Sequence, residues 1–95
     1  WPIGKGDLVA GKKIIEQAAT EEEKLTVAQD FIISNCLTVH QVAEFCSLFK
    51  SEKTRMSFAK YAYKFTIDRN NYAELASLFA TEKSRKELNT FINGD

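Results

Sequence analysis

The chain has 95 residues, 44% of them hydrophobic and 12% aromatic, with 13 basic against 13 acidic side chains. That is one small domain with enough apolar surface for a core, so intrinsic disorder and a multidomain layout are excluded. Zero net charge gives no global field for nucleic acid or an anionic membrane, and no run approaches the roughly 18 apolar residues of a membrane span.

Residues 1–6 contain Pro2, Gly4 and Gly6 and read as a flexible lead-in to a single helical domain over residues 7–93. The chain opens Trp1-Pro2 with no initiator Met, so an excised domain or a processed chain is expected. Asp7 suits the N-cap of a first helix over residues 7–19, with Leu8, Val9, Ile14, Ile15 and Ala18 as its apolar positions. Gly11 weakens that helix by about 1 kcal/mol relative to Ala. Thr20 and Glu23 have capping-box spacing, and Glu21, Glu22 and Glu23 suit the positive end of a helix dipole. The acidic run therefore reads as the opening of a second helix, not as a metal site. That helix turns Leu25, Ala28, Phe31 and Ile32 inward and breaks at residues 34–37.

Thr38 and Gln41 form a second capping box, opening a helix to Phe49 that carries Val39, Val42, Ala43, Cys46 and Phe49. Ser51 opens the central helix. Met56, Ala59 and Tyr63 fall at helical spacing, with Phe58 and Ala62 beside them, and form its apolar face. Lys53, Ser57, Lys60 and Lys64 form the opposite face. Residues 65–67 are apolar and β-branched: a connector against the core, or a very short strand with no obvious partner. Asp68 is expected to cap a fifth helix with Tyr72, Leu75, Ala76 and Phe79. Thr81 caps a sixth with Leu88, Phe91 and Ile92, ended by Asn93-Gly94.

Residues 41–49 and 71–79 match at five of nine positions, Ser51-Glu52-Lys53 matches Thr81-Glu82-Lys83, and Arg55 matches Arg85. The period is thirty. A fainter copy at an offset of thirty-one aligns Thr20, Glu21 and Lys24 with Ser51, Glu52 and Arg55. The fold class expected is all-α: about six short helices in three stacked helical hairpins, closed into a compact bundle or open as a short solenoid. The expected core is Leu25, Phe31, Val42, Phe49, Met56, Phe58, Tyr63, Tyr72, Leu75, Phe79, Leu88 and Phe91.

Several of these residues resemble a domain-of-unknown-function family catalogued under the number forty-four seventy-six. They are Lys24-Leu25 with Ala28, Asn35-Cys36-Leu37-Thr38 with Gln41-Val42, and Leu48-Phe49 with Ser51-Glu52 and Arg55. Ala59-Lys60-Tyr61-Ala62-Tyr63, Asp68 with Asn71-Tyr72, and Phe79 with Ser84, Glu87-Leu88 and Ile92 continue the pattern over roughly residues 8–92. Ala18, Lys50 and Lys83 depart from it, where Phe, Phe and Ser are common in the family; the changes weaken packing contacts and touch no active site. The resemblance implies no activity. It implies a domain of larger, frequently exported bacterial proteins, and an exported or cell-envelope location rests on it alone.

No residue pattern amounts to a catalytic or metal-binding signature. His40 and Glu44 stand at i, i+4 but supply two ligands where structural zinc wants four. A Cys36–His40 dyad has no neighbouring charge to activate the thiol. Cys36 and Cys46 flank a loop and most of a helix, too far apart for a disulfide. Residues 68–79 lack the glycine and the acid of a calcium loop, and Gly4-Lys5-Gly6 lacks the spacing of a phosphate loop. Tyr63 and Tyr72 belong to the core stripe, leaving only Tyr61 for base stacking.

Residues 1–47 balance four lysines against seven acids, and residues 48–95 nine basic groups against six acids, so the halves carry −3 and +3. The function expected is a non-catalytic interaction module without cofactor, holding a protein partner or a neighbouring domain. Lys53, Ser57, Lys60 and Lys64 are its candidate contact residues. The alternative is anion or nucleic-acid binding through the basic helix face, with the segment Lys83–Lys86. The module is expected to be a monomer or to self-associate weakly, the lysine stripe docking on Glu21, Glu22 and Glu23 of a second copy.

Overall fold

The computed structural model describes residues 3–94. Among them are five α-helices: α1 (Lys5–Glu16), α2 (Glu21–Ile32), α3 (Val39–Cys46), α4 (Glu52–Ala62) and α5 (Glu82–Gly94). Two 3-10 segments, Tyr63–Phe65 and Arg69–Leu78, complete the helical content. The order makes three hairpins: α1 with α2, α3 with α4, and the Arg69–Leu78 segment with α5. The second hairpin is the middle one. Its α4 packs between α2 and α5, and its α3 lies against the Arg69–Leu78 segment. The result is a slab of 31 × 30 × 19 Å, its short dimension suiting two layers of helices.

Helix starts follow local side-chain chemistry. The Thr20, Ser51 and Thr81 hydroxyls accept from the N–H groups of Glu23, Thr54 and Ser84. Thr38 and Gln41 close a complete capping box, and the Gln41 amide also donates to the Ile3 carbonyl at 2.8 Å. That bond, with Ile3 N–H donating to Cys36, ties Ile3 into the core. The lead-in expected over residues 1–6 is thus shorter: α1 begins at Lys5, with Gly4 and not Asp7 at its N-cap position. Trp1 and Pro2 lie outside the described residues. At the other end α5 continues through Asn93 and Gly94, which were expected to stop it.

Asp68 does not cap the segment it precedes. Its carboxylate reaches across to accept the Val39 N–H at 2.8 Å, so it caps α3 instead. The segment after it winds as a 3-10 helix, not the α-helix its apolar spacing suggests. Residues 65–67 find the partner that the sequence did not offer. Leu37 N–H donates to Phe65, Ile67 N–H donates to Leu37, and a single parallel bridge pairs Leu37 with Thr66.

The core is centred on Phe58, fully buried in α4 with Phe45 and Phe49 at ring-centroid distances of 6.1 and 5.6 Å. Of the expected core, Val42, Phe49, Met56, Phe58, Tyr72, Leu75, Phe79 and Leu88 are buried. Leu25, Phe31, Tyr63 and Phe91 are half-buried. Tyr63 lies between Tyr72 and Phe91 in edge-to-face contact, near the edge of the slab. Ile15 and Ile32, placed on the apolar helix positions in the sequence, and Leu37 and Phe45, which were not expected in the core, are among the largest fully buried side chains.

One contact recurs between hairpins. Glu21, the first residue of α2, accepts the N–H groups of Lys50 and Ser51 at 3.0 Å, where α4 begins. Glu52, the first residue of α4, accepts the N–H of Ala80 and bonds Thr81 Oγ1 and Ser84 Oγ, where α5 begins. Each acid thus satisfies donors that a helix start leaves open in the next hairpin. The donated hydrogen bonds hold both carboxyls below their ordinary value, chiefly through Ser51 for Glu21 and through Ser84 for Glu52.

Candidate partner-binding groove

The face of α4 opposite the core runs beside α5. A groove of about 360 Å³ lies between the two helices there. Lys53, Ser57 and Lys60 line it from α4, and Lys83, Ser84 and Glu87 from α5; Met56 and Glu52 reach it too. Three of the four residues of the expected stripe are therefore brought together. Lys64 is not among them. It follows α4 in the Tyr63–Phe65 segment, where its ammonium sits 5.0 and 5.4 Å from the ring centroids of Tyr61 and Phe65. It lines a separate cavity with Cys36, Ile67 and Arg69.

The lysines of the groove are not equivalent. Lys60 is half-buried and ion-paired with Glu87 at 2.6 Å, so its charge is committed to joining the helices. Lys53 and Lys83 are exposed and stand at the same place on their respective helices. The Glu52 carboxylate is turned toward Thr81 and Ser84. Among the described residues, the groove's donors without a partner are thus the two ammonium groups and the exposed Ser57 hydroxyl, with Met56 also in the lining.

The chain's arginines serve another purpose. Arg55 donates to the carbonyls of Phe49 and Leu78, Arg85 to that of Phe79, and Arg69 to those of Tyr63, Lys64 and Thr66. Each closes backbone acceptors where a helical segment ends. Arg85, grouped with the basic segment in the sequence, therefore faces the core side and not the groove.

The other candidates are scattered. His40 is exposed, 3.8 Å from Glu44, whose other oxygen pairs with Lys12 at 3.2 Å. Among the described residues, no three His, Cys, Asp or Glu side chains converge as a cation site. Both cysteines are free. Cys46 is fully buried, and burial pushes its thiol up to about 12, while Cys36 is exposed. Glu21, offered in the sequence as a dock for the lysine stripe, is already engaged by Lys50, Ser51 and Lys24.

On the α5 side of the groove, Lys83 and Ser84 fall in the basic segment already named from the sequence, whereas Glu87 was hidden. Glu87 lies 27 positions from Lys60, beyond any local rule. The signal that reached Lys83 is the thirty-residue match, which places Lys53 and Lys83 at one position of neighbouring helices.

Among the described residues no helix is long and apolar enough to cross a membrane. No curated protein and no solved structure matches the chain. One family model does, over residues 11–92, from within α1 nearly to the end of α5. The chain therefore belongs to the family described as a domain of unknown function, DUF4476.

Proposed function

We propose that this domain is a non-catalytic helical-repeat module that holds an acidic segment of a protein partner in the groove between α4 and α5. The observation that carries this reading is the pair of exposed ammonium groups, Lys53 and Lys83, flanking the Ser57 hydroxyl and Met56 in one 360 Å³ groove. Two cations with a hydroxyl suit a carboxylate side chain, and the methionine offers a soft apolar contact. Glu52 and Glu87 in the same groove disfavour a continuous polyanion, which would meet them at every register. This supports a peptide over the rival reading of nucleic-acid binding. The stacking aromatics that a nucleic-acid binder uses point the same way: Tyr63 is packed between Tyr72 and Phe91, and Tyr61 lies against Phe65 under Lys64. Placement of the domain in a larger exported bacterial protein is supported by the family resemblance alone.

The test is a titration of the isotope-labelled domain with a glutamate-rich peptide and, separately, with a single-stranded oligonucleotide. The peptide is expected to shift the amides of Lys53, Ser57 and Lys83, weakening with salt, and Lys53→Glu with Lys83→Glu removes the shifts. Oligonucleotide binding that the peptide cannot displace, or peptide shifts confined to other surfaces, refutes the reading.

A further inference from the structure

The carboxylate contact between hairpins has a third member without its partner. Glu21 bonds the N–H pair of residues 50 and 51, and Glu52 bonds Ala80 N–H and the Thr81 hydroxyl. Glu82 stands at the matching position of α5. It is 76% exposed, and its sole ion pair among the described residues is with Lys86 at 3.8 Å. At the opposite end, Ala19 and Thr20 occupy the places of Lys50 and Ser51 before α2. Both are exposed, and neither N–H meets an acceptor among the described residues.

We propose that the chain associates head to tail with itself, Glu82 of one copy accepting the Ala19 and Thr20 N–H groups of the next. The inner junctions supply the geometry twice. The flank of α2 supplies the space: a cavity of about 530 Å³ lies there, lined by Thr20, Glu22, Glu23, Thr26 and Val27. Glu22, Glu23 and Thr26 hold the positions that Lys83, Ser84 and Glu87 hold on α5, where they face α4. The α2 cavity is therefore where the α5 of a second copy fits. Glu23 replaces Ser84 at this junction and repels Glu82. Lys86, one turn on from Glu82 and in the place of Met56, brings the opposing charge.

Two further observations favour a second copy as the occupant. The halves of the chain carry −3 and +3, so stacking sets the acidic half of one copy against the basic half of the next. Ile14 is 50% exposed, and on a helix it points nearly opposite to Lys12, which reaches α3. It therefore lies on the outer flank of α1, where a neighbour would cover it. The contact is heterologous and does not close on itself, so it grows chains, not a symmetric dimer. It is polar at its centre, and so weak and salt-sensitive.

Sedimentation of the chain at millimolar concentration tests this. Species beyond the dimer are expected at low salt and revert to monomer at high salt. Glu82→Gln should reduce them and Glu82→Lys remove them, with an unchanged circular dichroism spectrum. A wild-type monomer at every salt and concentration overturns the proposal. So does association that Glu82→Lys leaves intact.

Discussion

Gly11 sits in the middle of α1, where glycine costs helix stability, yet Gly11→Ala is expected to destabilise the protein. An alanine there gains about 1 kcal/mol of helix propensity. Its Cβ, however, would lie 2.8 Å from Cε2 and Cζ of Phe31 in α2, about 1 Å inside ordinary contact. Phe31 cannot simply swing aside toward the core, because its ring is backed by Phe45 at 5.8 Å. It is only half-buried, so it can give outward, and the overpacking cost falls toward the lower part of the usual range of about 1–3 kcal/mol. The net effect is a small loss, under about 1 kcal/mol. Shortening the ring removes the clash and leaves the propensity gain. In a Phe31→Leu background Gly11→Ala should therefore stabilise, by up to about 1 kcal/mol. Urea unfolding of the four proteins of this cycle reads both signs. Stabilisation by Gly11→Ala in the wild-type background would show that α1 and α2 are not in the close contact described, and refute the packing argument.

Phe58→Ala should cost about 3–5 kcal/mol, since it empties the centre of the core and removes two aromatic contacts; a loss under about 1 kcal/mol would place Phe58 elsewhere. Alkylation of the native protein without reductant should label Cys36 and leave Cys46 unlabelled until unfolding, when both should react. Glu21 and Glu52 have carboxyls lowered in the folded state. Their stabilisation is fully present above the ordinary value of 4.5 and is lost as pH falls through the lowered native values. Glu21→Gln with Glu52→Gln should therefore lower the melting temperature at neutral pH and flatten its decline in acid; an unchanged decline argues against both contacts.

The helix starts were legible because their chemistry is local. Thr20, Thr38, Ser51 and Thr81 each meet an N–H three residues on, which spacing alone reveals. Phe58 was legible because it lies mid-stripe on a helix and recurs as Leu88. Asp68 was not, because its nearest helix start in sequence lost to one 29 residues away, brought close by the Leu37–Thr66 bridge. That bridge pairs two single residues and leaves no alternating pattern to read. Gly11 was legible as a cost to its helix, and its benefit lies wholly in another helix. Of the groove, the α4 side could be read from helical spacing, whereas the ion pair from Lys60 to Glu87 required knowing that α5 lies alongside. The recurrence of Glu21, Glu52 and Glu82 one residue after each cap was visible, and core packing does not explain it; their acceptor role emerges only once the hairpins are side by side.

That role is the joint on which the stacking of the hairpins turns, and a pH titration followed by nuclear magnetic resonance measures it directly. The amide signals of Lys50 and Ser51 should titrate with the side-chain carboxyl of Glu21, and that of Ala80 with Glu52, both at midpoints below the ordinary carboxylate value of 4.5. Amides that do not follow these carboxyls, or carboxyls that titrate at the ordinary value, would contradict the account.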